Sequence, residues 1–195
     1  MFGLFKKKPE LEVTDIVWKN DSAKQNGILK HISTAERFIL YYYFQDTKET
    51  FTEILRNSSI SFADQVGAPE KLVLLQAKHP GNPHSINDRN VFFLEHHPSF
   101  SAEKPILDDL FMAGVKKVLF FNSLKEPIFQ FFGSERIVLL LEKMGLEEEE
   151  SIEHPMISQS IRNAQQKMDE KVIFPSSTRN AKDWISSNVG NIKAE

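Results

Sequence analysis

The chain has 195 residues, of which 41% are hydrophobic and 26% charged, and it carries a formal net charge of −3. One domain of this length buries roughly 70% of its unfolded surface, so the composition excludes a disordered chain, and the weak negative charge gives no field that attracts nucleic acid. The sequence contains no cysteine, which excludes disulfides, thiolate nucleophiles and cysteine zinc sites and favours a cytoplasmic protein.

The first half of the chain predicts strands with a helix between them. The apolar run Val13–Trp18 is a strand or an extended entry segment. Phe38–Phe44 and Leu72–Gln76 are apolar on both faces, which is typical of buried strands. Between these two runs, Asp46 and Glu49 are spaced as a capping box that opens a helix.

The second half repeats this alternation. Val91–Leu94 and Val118–Phe121 are predicted to be further buried strands. Ser101 and Gly114 are placed to cap and to end a helix between them, and a longer helical stretch runs from 127 to 145. Strands that alternate with helices imply crossover connections. We therefore expect an α/β fold with a mostly parallel sheet and helices on both faces.

An acidic run, Glu147–Glu150, is interpreted as a solvated hinge. It divides the chain into a sheet domain, 1–150, and a helical extension with a polar tail, 151–195. In the tail, Trp184 and Ile185 predict a short helix or a loosely docked segment.

One narrow apolar stripe at helical spacing marks the extension, and Pro175 is expected to end its helix. The stripe consists of Ile157, Ile161, Ala164, Met168 and Val172. We expect it to pack on the chain's own domain near Leu139 or Leu140. The alternatives are a second copy, which gives a homodimer through the 157–172 helix, or a partner protein.

The common catalytic signatures are absent from the sequence. No Gly is followed by Lys, so there is no P-loop, and no dinucleotide-binding turn, serine elbow or zinc-protease helix occurs. We expect no catalytic residue and no cofactor. No apolar run approaches the roughly 20 residues that span a bilayer, so we expect no integral membrane segment.

Histidine is the one chemically active residue type that clusters in the sequence. Because the carboxyl ends of parallel strands share one edge, polar residues that follow the predicted strands form the candidate binding patch. Its members are His79, Glu95, His96, His97, Asn122 and Ser123. Imidazole and carboxylate also suit zinc or iron, and ordinary loop residues are the third interpretation.

Residues Val118–Val172 resemble SecA, the motor ATPase that drives preprotein translocation. Three pieces carry the resemblance in order. They are Ser123–Phe132, the Phe-Gly-Ser-Glu-Arg-Ile segment Phe132–Ile137, and Ile152–Pro155 leading to Asn163–Gln165.

Weaker similarity extends the resemblance to roughly residues 9 to 172. It is carried by Glu12–Ile32, Phe38–Leu55, Leu74–His79 and Val91–His97. The resemblance implies a RecA-like second motor domain followed by the first turns of the family's long scaffold helix.

The departures from SecA bear on activity. We expect the chain to lack the family's first motor domain, and with it the P-loop and the acidic magnesium residue. We also expect a strand with a helicase motif to be missing between His79 and Val91. The family's arginine finger segment is replaced by Ser101–Gly114, and no arginine occurs from Asn90 to Glu135. Arginine fingers stabilise charge on the transferred phosphoryl group, so ATP hydrolysis is not expected.

Three functions follow from this sequence. The first is a non-catalytic, SecA-related module for protein interaction or regulation, whose protein partner the sequence does not identify. The second is a module that binds a nucleotide or another small ligand at the strand ends without turnover. The third is a metal-dependent hydrolase that uses the histidine loops.

Overall fold

The computed structural model describes residues 11–65, 67–78, 86, 88–131, 147 and 149–190. Its strands are β1 (Glu12–Trp18), β2 (Phe38–Tyr42), β3 (Leu72–Gln76), β4 (Asn90–Phe93), β5 (Lys117–Ser123) and β6 (Ser151–Ile152). Its α-helices are α1 (Asp21–Thr34), α2 (Gln45–Asn57), α3 (Phe100–Met112), α4 (Pro155–Asp169) and α5 (Ala181–Asn188), and a 3-10 helix covers Pro127–Phe131.

The strands form one sheet in the order β3-β2-β4-β5-β1-β6. The five strands β1 to β5 are parallel, and β6 pairs with the end of β1 in the antiparallel direction. This confirms the predicted α/β fold and is consistent with a RecA-like domain. Strand β6 was not predicted, because a strand of two residues is too short to show a hydrophobic pattern.

Helices cover both faces of the sheet, as predicted. Alternate residues of each strand point to opposite faces, so Phe38 and Leu40 pack with α1 and α2, whereas Ile39 and Tyr41 pack with α3. Both faces of β2 and β3 are buried, which explains why these strands are continuous apolar runs in the sequence.

Helix α1 carries glycine at position 27, where the indole ring of Trp18 lies against the helix backbone. A Cβ atom at Gly27 would lie 2.2 Å from Cζ2 of Trp18, which no real contact tolerates. The absence of a side chain therefore makes room for the indole ring, which is 3% exposed.

The predicted apolar stripe packs against the chain's own sheet. Ile161, Ala164 and Met168 of α4 are buried. They share a hydrophobic cluster with Val17 and Phe44, at the carboxyl ends of β1 and β2, and with other residues of that edge. The neighbours expected at Leu139 and Leu140 lie outside the described residues. Helix α4 also ends at Asp169, before Pro175.

Two predicted helix caps are wrong. Helix α3 begins at Phe100, where Ser99 rather than Ser101 accepts from the backbone N–H of Ala102. Helix α2 begins at Gln45 with Phe44 as its cap residue, which has no capping oxygen of its own. The capping box predicted at Asp46 therefore does not form.

The long helix predicted from 127 to 145 is only partly within the described residues. Its first residues form the 3-10 helix, and 132–146 lie outside the description. None of the helices in the described part of the chain is long and apolar enough to cross a membrane.

Candidate functional site

The carboxyl ends of β1, β4 and β5 meet at one edge of the sheet. Parallel pairing places Trp18 opposite Ser123 and Phe93 opposite Phe120, so the residues after β4 face the end of β5. Five of the six predicted patch residues therefore gather at this edge. They are Glu95, His96, His97, Asn122 and Ser123, and His79 lies outside the described residues.

His96 is held between two carboxylates in the interior. Its Nε2 atom lies 2.6 Å from Oδ1 of Asp15, and its Nδ1 atom lies 2.9 Å from Oε2 of Glu103. All three side chains are at most 2% exposed. Burial lowers the pKa of His96, but the two carboxylates outweigh it and raise the pKa to about 10. These contacts favour the protonated imidazole near neutral pH.

Asp15 also contacts strand β5. Asn122 donates from Nδ2 to Oδ1 of Asp15 over 2.9 Å. Burial acts to raise the pKa of Asp15, yet the charge of His96 and the hydrogen bonds together hold that pKa below its usual value. Asp15 is thus an ionised, interior carboxylate that links β1 to β5 and to the loop after β4.

Glu95 supplies the cap that α2 lacks. Its Oε1 atom accepts from the backbone N–H groups of Tyr43 and Phe44, each at 3.0 Å, and the hydroxyl of Thr47 donates to Oε2 at 2.6 Å. A carboxylate from another segment therefore satisfies the start of the helix. Burial is the main effect on this carboxyl group and raises its pKa to about 7.

Ser123 takes part in a second polar group at the same edge. Its hydroxyl bonds to the carboxylate of Asp21, and its backbone N–H donates to Oε1 of Glu126 at 3.0 Å. Lys24 donates to that same oxygen and to the carbonyl of Leu94, both at 2.5 Å. These contacts fasten the start of α1 to the ends of β4 and β5.

His97 is a packing residue between the sheet and the helical extension. Its ring stacks on Phe44, with 5.4 Å between centroids, and meets the indole of Trp184 edge-on at 5.0 Å. Gln165 of α4 donates to its carbonyl at 2.8 Å. Burial lowers the pKa of His97, so the ring is neutral near pH 7. It belongs to an interior contact rather than to an open site.

The two partners of His96, Asp15 and Glu103, were not among the predicted site residues. Both carried a signal. Asp15 is a carboxylate inside the apolar run of β1, and Glu103 lies three and four residues before Ile106 and Leu107, on the inward stripe of α3. A charged residue on a buried stripe requires a buried partner of opposite charge. The positions of Asp15 and Glu103 therefore predict a buried cation near them.

Within the described residues, no group of three or more histidine and carboxylate residues is arranged to hold a metal ion. Two clefts lie near the site. One of about 460 Å³ lies between β1 and α4 and includes Asp15, His96 and Arg162 in its lining. The other, of about 260 Å³, lies between the first turns of α1 and α2 and includes Lys24 and Glu95.

Comparison with known proteins gives a partial relationship. No protein-family model matches the chain. It is 53% identical over 51 residues to the protein translocase subunit SecA of Christiangramia forsetii and 42% identical over 50 residues to that of Methylococcus capsulatus. It is also 46% identical over 50 residues to the protein translocase subunit SecA 1 of Alkaliphilus metalliredigens.

Each of these matches covers 26% of the chain and only 5% or 6% of the relative's length. The chain is therefore SecA-related over about a quarter of its length, which confirms the resemblance for that share.

Proposed function

We propose that this SecA-related chain is a non-catalytic, cytoplasmic module for protein interaction or regulation. The observation that carries the proposal is the clamp of His96 between Asp15 and Glu103. In open α/β sheets, ligands bind at the carboxyl ends of the strands. Here the side chains at that edge bond to one another, so their chemistry serves the fold.

The helical extension adds to this argument. Ile161 and Met168 of α4 and Trp184 of α5 pack in one cluster with the strand-end residues Val17 and Phe44. The helical extension therefore covers part of the edge at which a ligand of such a sheet would bind. The absence of a P-loop and the replacement of the arginine finger segment by α3 favour the same function.

A second candidate function is ligand binding without turnover, which the 260 Å³ cleft favours. Asp21, Asp46, Glu95 and Glu126 outnumber the cation Lys24 in its lining. An acidic lining suits a small cationic ligand better than a nucleotide. If ATP, ADP or a divalent metal raises the melting temperature, the chain binds that ligand, because a ligand that binds only the folded state stabilises the folded state.

Capture of a partner tests the proposed function. The tagged chain is crosslinked in its native cells, purified, and compared with a urea-unfolded sample of the same preparation. We expect a defined protein to be enriched with the folded chain only and to rebind it after separate purification. Enrichment that is equal for both samples, or that does not survive separate purification, contradicts an interaction module.

A further inference from the structure

The C-terminal part of the described chain forms a separate element, which we call the strap and define as residues 176–190. It closes on itself, because Asn188 accepts from the backbone N–H of Ser176 at 2.6 Å and donates to its carbonyl at 3.1 Å. The intervening residues include α5. The strap is joined to α4 through residues 170–175.

The strap binds the first turn of α2 through polar groups. Arg179 pairs with Asp46 at 2.9 Å and with Glu49 at 2.8 Å. The carbonyl of Arg179 also accepts from the backbone N–H of Asp46 at 3.0 Å. That N–H belongs to the first turn of the helix, where amides have no partner within the helix. The surface under the strap therefore recognises both a cation and a carbonyl.

An apolar pair in α5 anchors the strap. Trp184 and Ile185 are only 3% and 6% exposed. They lie in a cluster with Phe44, Leu124 and Phe129, and the indole meets His97 edge-on. Anchors that are buried to this degree dominate the free energy of binding at protein interfaces.

The polar contacts of the strap contribute little to its attachment. Its ion pairs are more than a third exposed, and exposed pairs contribute little to stability. A helix of eight residues is marginal without tertiary contacts. In the connecting segment Ile173 and Phe174 are 83% and 91% exposed, which leaves two large apolar side chains beside the strap.

We propose that the surface under the strap is a docking groove for a short amphipathic helix of a protein partner, and that the strap occupies this groove in competition with it. The groove is formed by Asp46, Glu49, Phe44, His97 and Leu124. The partner helix carries an arginine five residues before an aromatic residue that is followed by a branched apolar one, as Arg179, Trp184 and Ile185 do in the strap. The inference rests on the proposed function and names its partner class.

A labelled peptide of residues 176–190 tests the groove in the full chain. Trp184→Ala weakens the internal strap without altering the groove, so the groove is free in a larger fraction of molecules. We expect fluorescence anisotropy to show the peptide binding the Trp184→Ala chain at least tenfold more tightly than the unsubstituted chain. Lys182→Ala is the matched control, because Lys182 is exposed on α5. The Lys182→Ala chain should bind the peptide with the same affinity as the unsubstituted chain.

Arg179→Glu gives an independent variant if Trp184→Ala lowers folding, because Arg179 lies at the surface. It should also bind the peptide more tightly, whereas a peptide with Trp184→Ala should bind none of the chains. Equal binding by all chains, or binding by none, overturns the groove. A dimer of the unsubstituted chain that is lost in Trp184→Ala assigns the groove to a second copy and overturns the partner helix.

The two proposals fail separately. If a native partner binds the unsubstituted and Trp184→Ala chains equally well, the interaction lies elsewhere, which overturns the groove and leaves the proposed function standing. If no partner is captured by either chain while the peptide binds as expected, the groove stands as an internal docking site and the interaction module is contradicted.

Discussion

Nε2 of His96 lies 2.6 Å from Oδ1 of Asp15, although 81 residues separate them in the sequence. Together with Glu103, which contacts the opposite side of the imidazole, this pair joins β1, the loop after β4 and α3 in the interior. A buried cation between two buried carboxylates is stable only while all three groups are present. Removal of any one of the three groups is therefore expected to destabilise the fold.

His96→Leu should lower the free energy of unfolding by about 3 to 5 kcal/mol, because it leaves two buried carboxylates without their counterion. Urea unfolding followed by circular dichroism measures the change. Adding Asp15→Asn and Glu103→Gln to the same chain should recover part of the loss, since neutral amides do not repel each other. A loss below about 1 kcal/mol for His96→Leu alone would show that the clamp is not ionised.

Glu95 should make stability depend on pH. Its pKa rises from 4.5 to about 7 on folding. The folded chain therefore keeps a proton that the unfolded chain has lost between these values. The stabilisation from Glu95 is fully present below pH 4.5 and is lost as pH rises through about 7.

Glu95→Gln keeps the shape and the acceptor oxygen for Tyr43 and Phe44 but does not titrate. Urea unfolding of both chains from pH 4.5 to 8 should show the unsubstituted chain losing stability relative to the variant as pH rises. A constant difference between the two chains across this range would refute the raised pKa.

Gly27→Ala should destabilise the chain, although alanine favours helices by about 1 kcal/mol over glycine. The new Cβ would overlap Trp18, and overpacking of this kind costs about 1 to 3 kcal/mol. Asn26→Ala, at an exposed position of the same helix, is the control and should leave the melting temperature unchanged or raise it. If the Gly27→Ala chain has the same melting temperature as the Asn26→Ala control, the indole of Trp18 has room to move.

Ile161→Asp should lower the melting temperature of a monomer, because it places a charge in the cluster between α4 and the strand ends. Asn163→Asp adds the same charge at an exposed position of α4 and serves as the control. Light scattering reports the size of each variant. If Ile161→Asp leaves the melting temperature unchanged and abolishes an association of the unsubstituted chain, α4 packs on another molecule.

The fold was predictable where burial alone decides the residue type. The runs at Phe38–Phe44 and Leu72–Gln76 are apolar because both faces of β2 and β3 are covered. A strand that is buried on both faces is a continuous apolar run in the sequence. Strand order, β6 and the cap of α2 were not predictable, because each depends on contacts between distant segments. The capping carboxylate is Glu95, 51 residues beyond Phe44.

Strand geometry predicts which residues of the candidate site lie together, but it does not predict their hydrogen-bond partners. His96, His97 and Asn122 lie near one another because parallel strands share a carboxyl edge. Their hydrogen-bond partners determine whether such residues bind a ligand or one another, and Asp15 lies 107 residues from Asn122. The docking of Arg179 on Asp46 spans 133 residues and left no local pattern in the sequence.

ATP turnover by the full chain is the measurement that decides whether the chain is non-catalytic. The chain is passed through a sizing column, and each fraction is assayed for phosphate release with ATP and Mg²⁺. We expect no release above background in the fractions that contain the chain, because the strand-end side chains bond to one another. Release that follows the chain across the peak, survives a second purification and is lost in His96→Leu while the fold is retained would contradict this expectation.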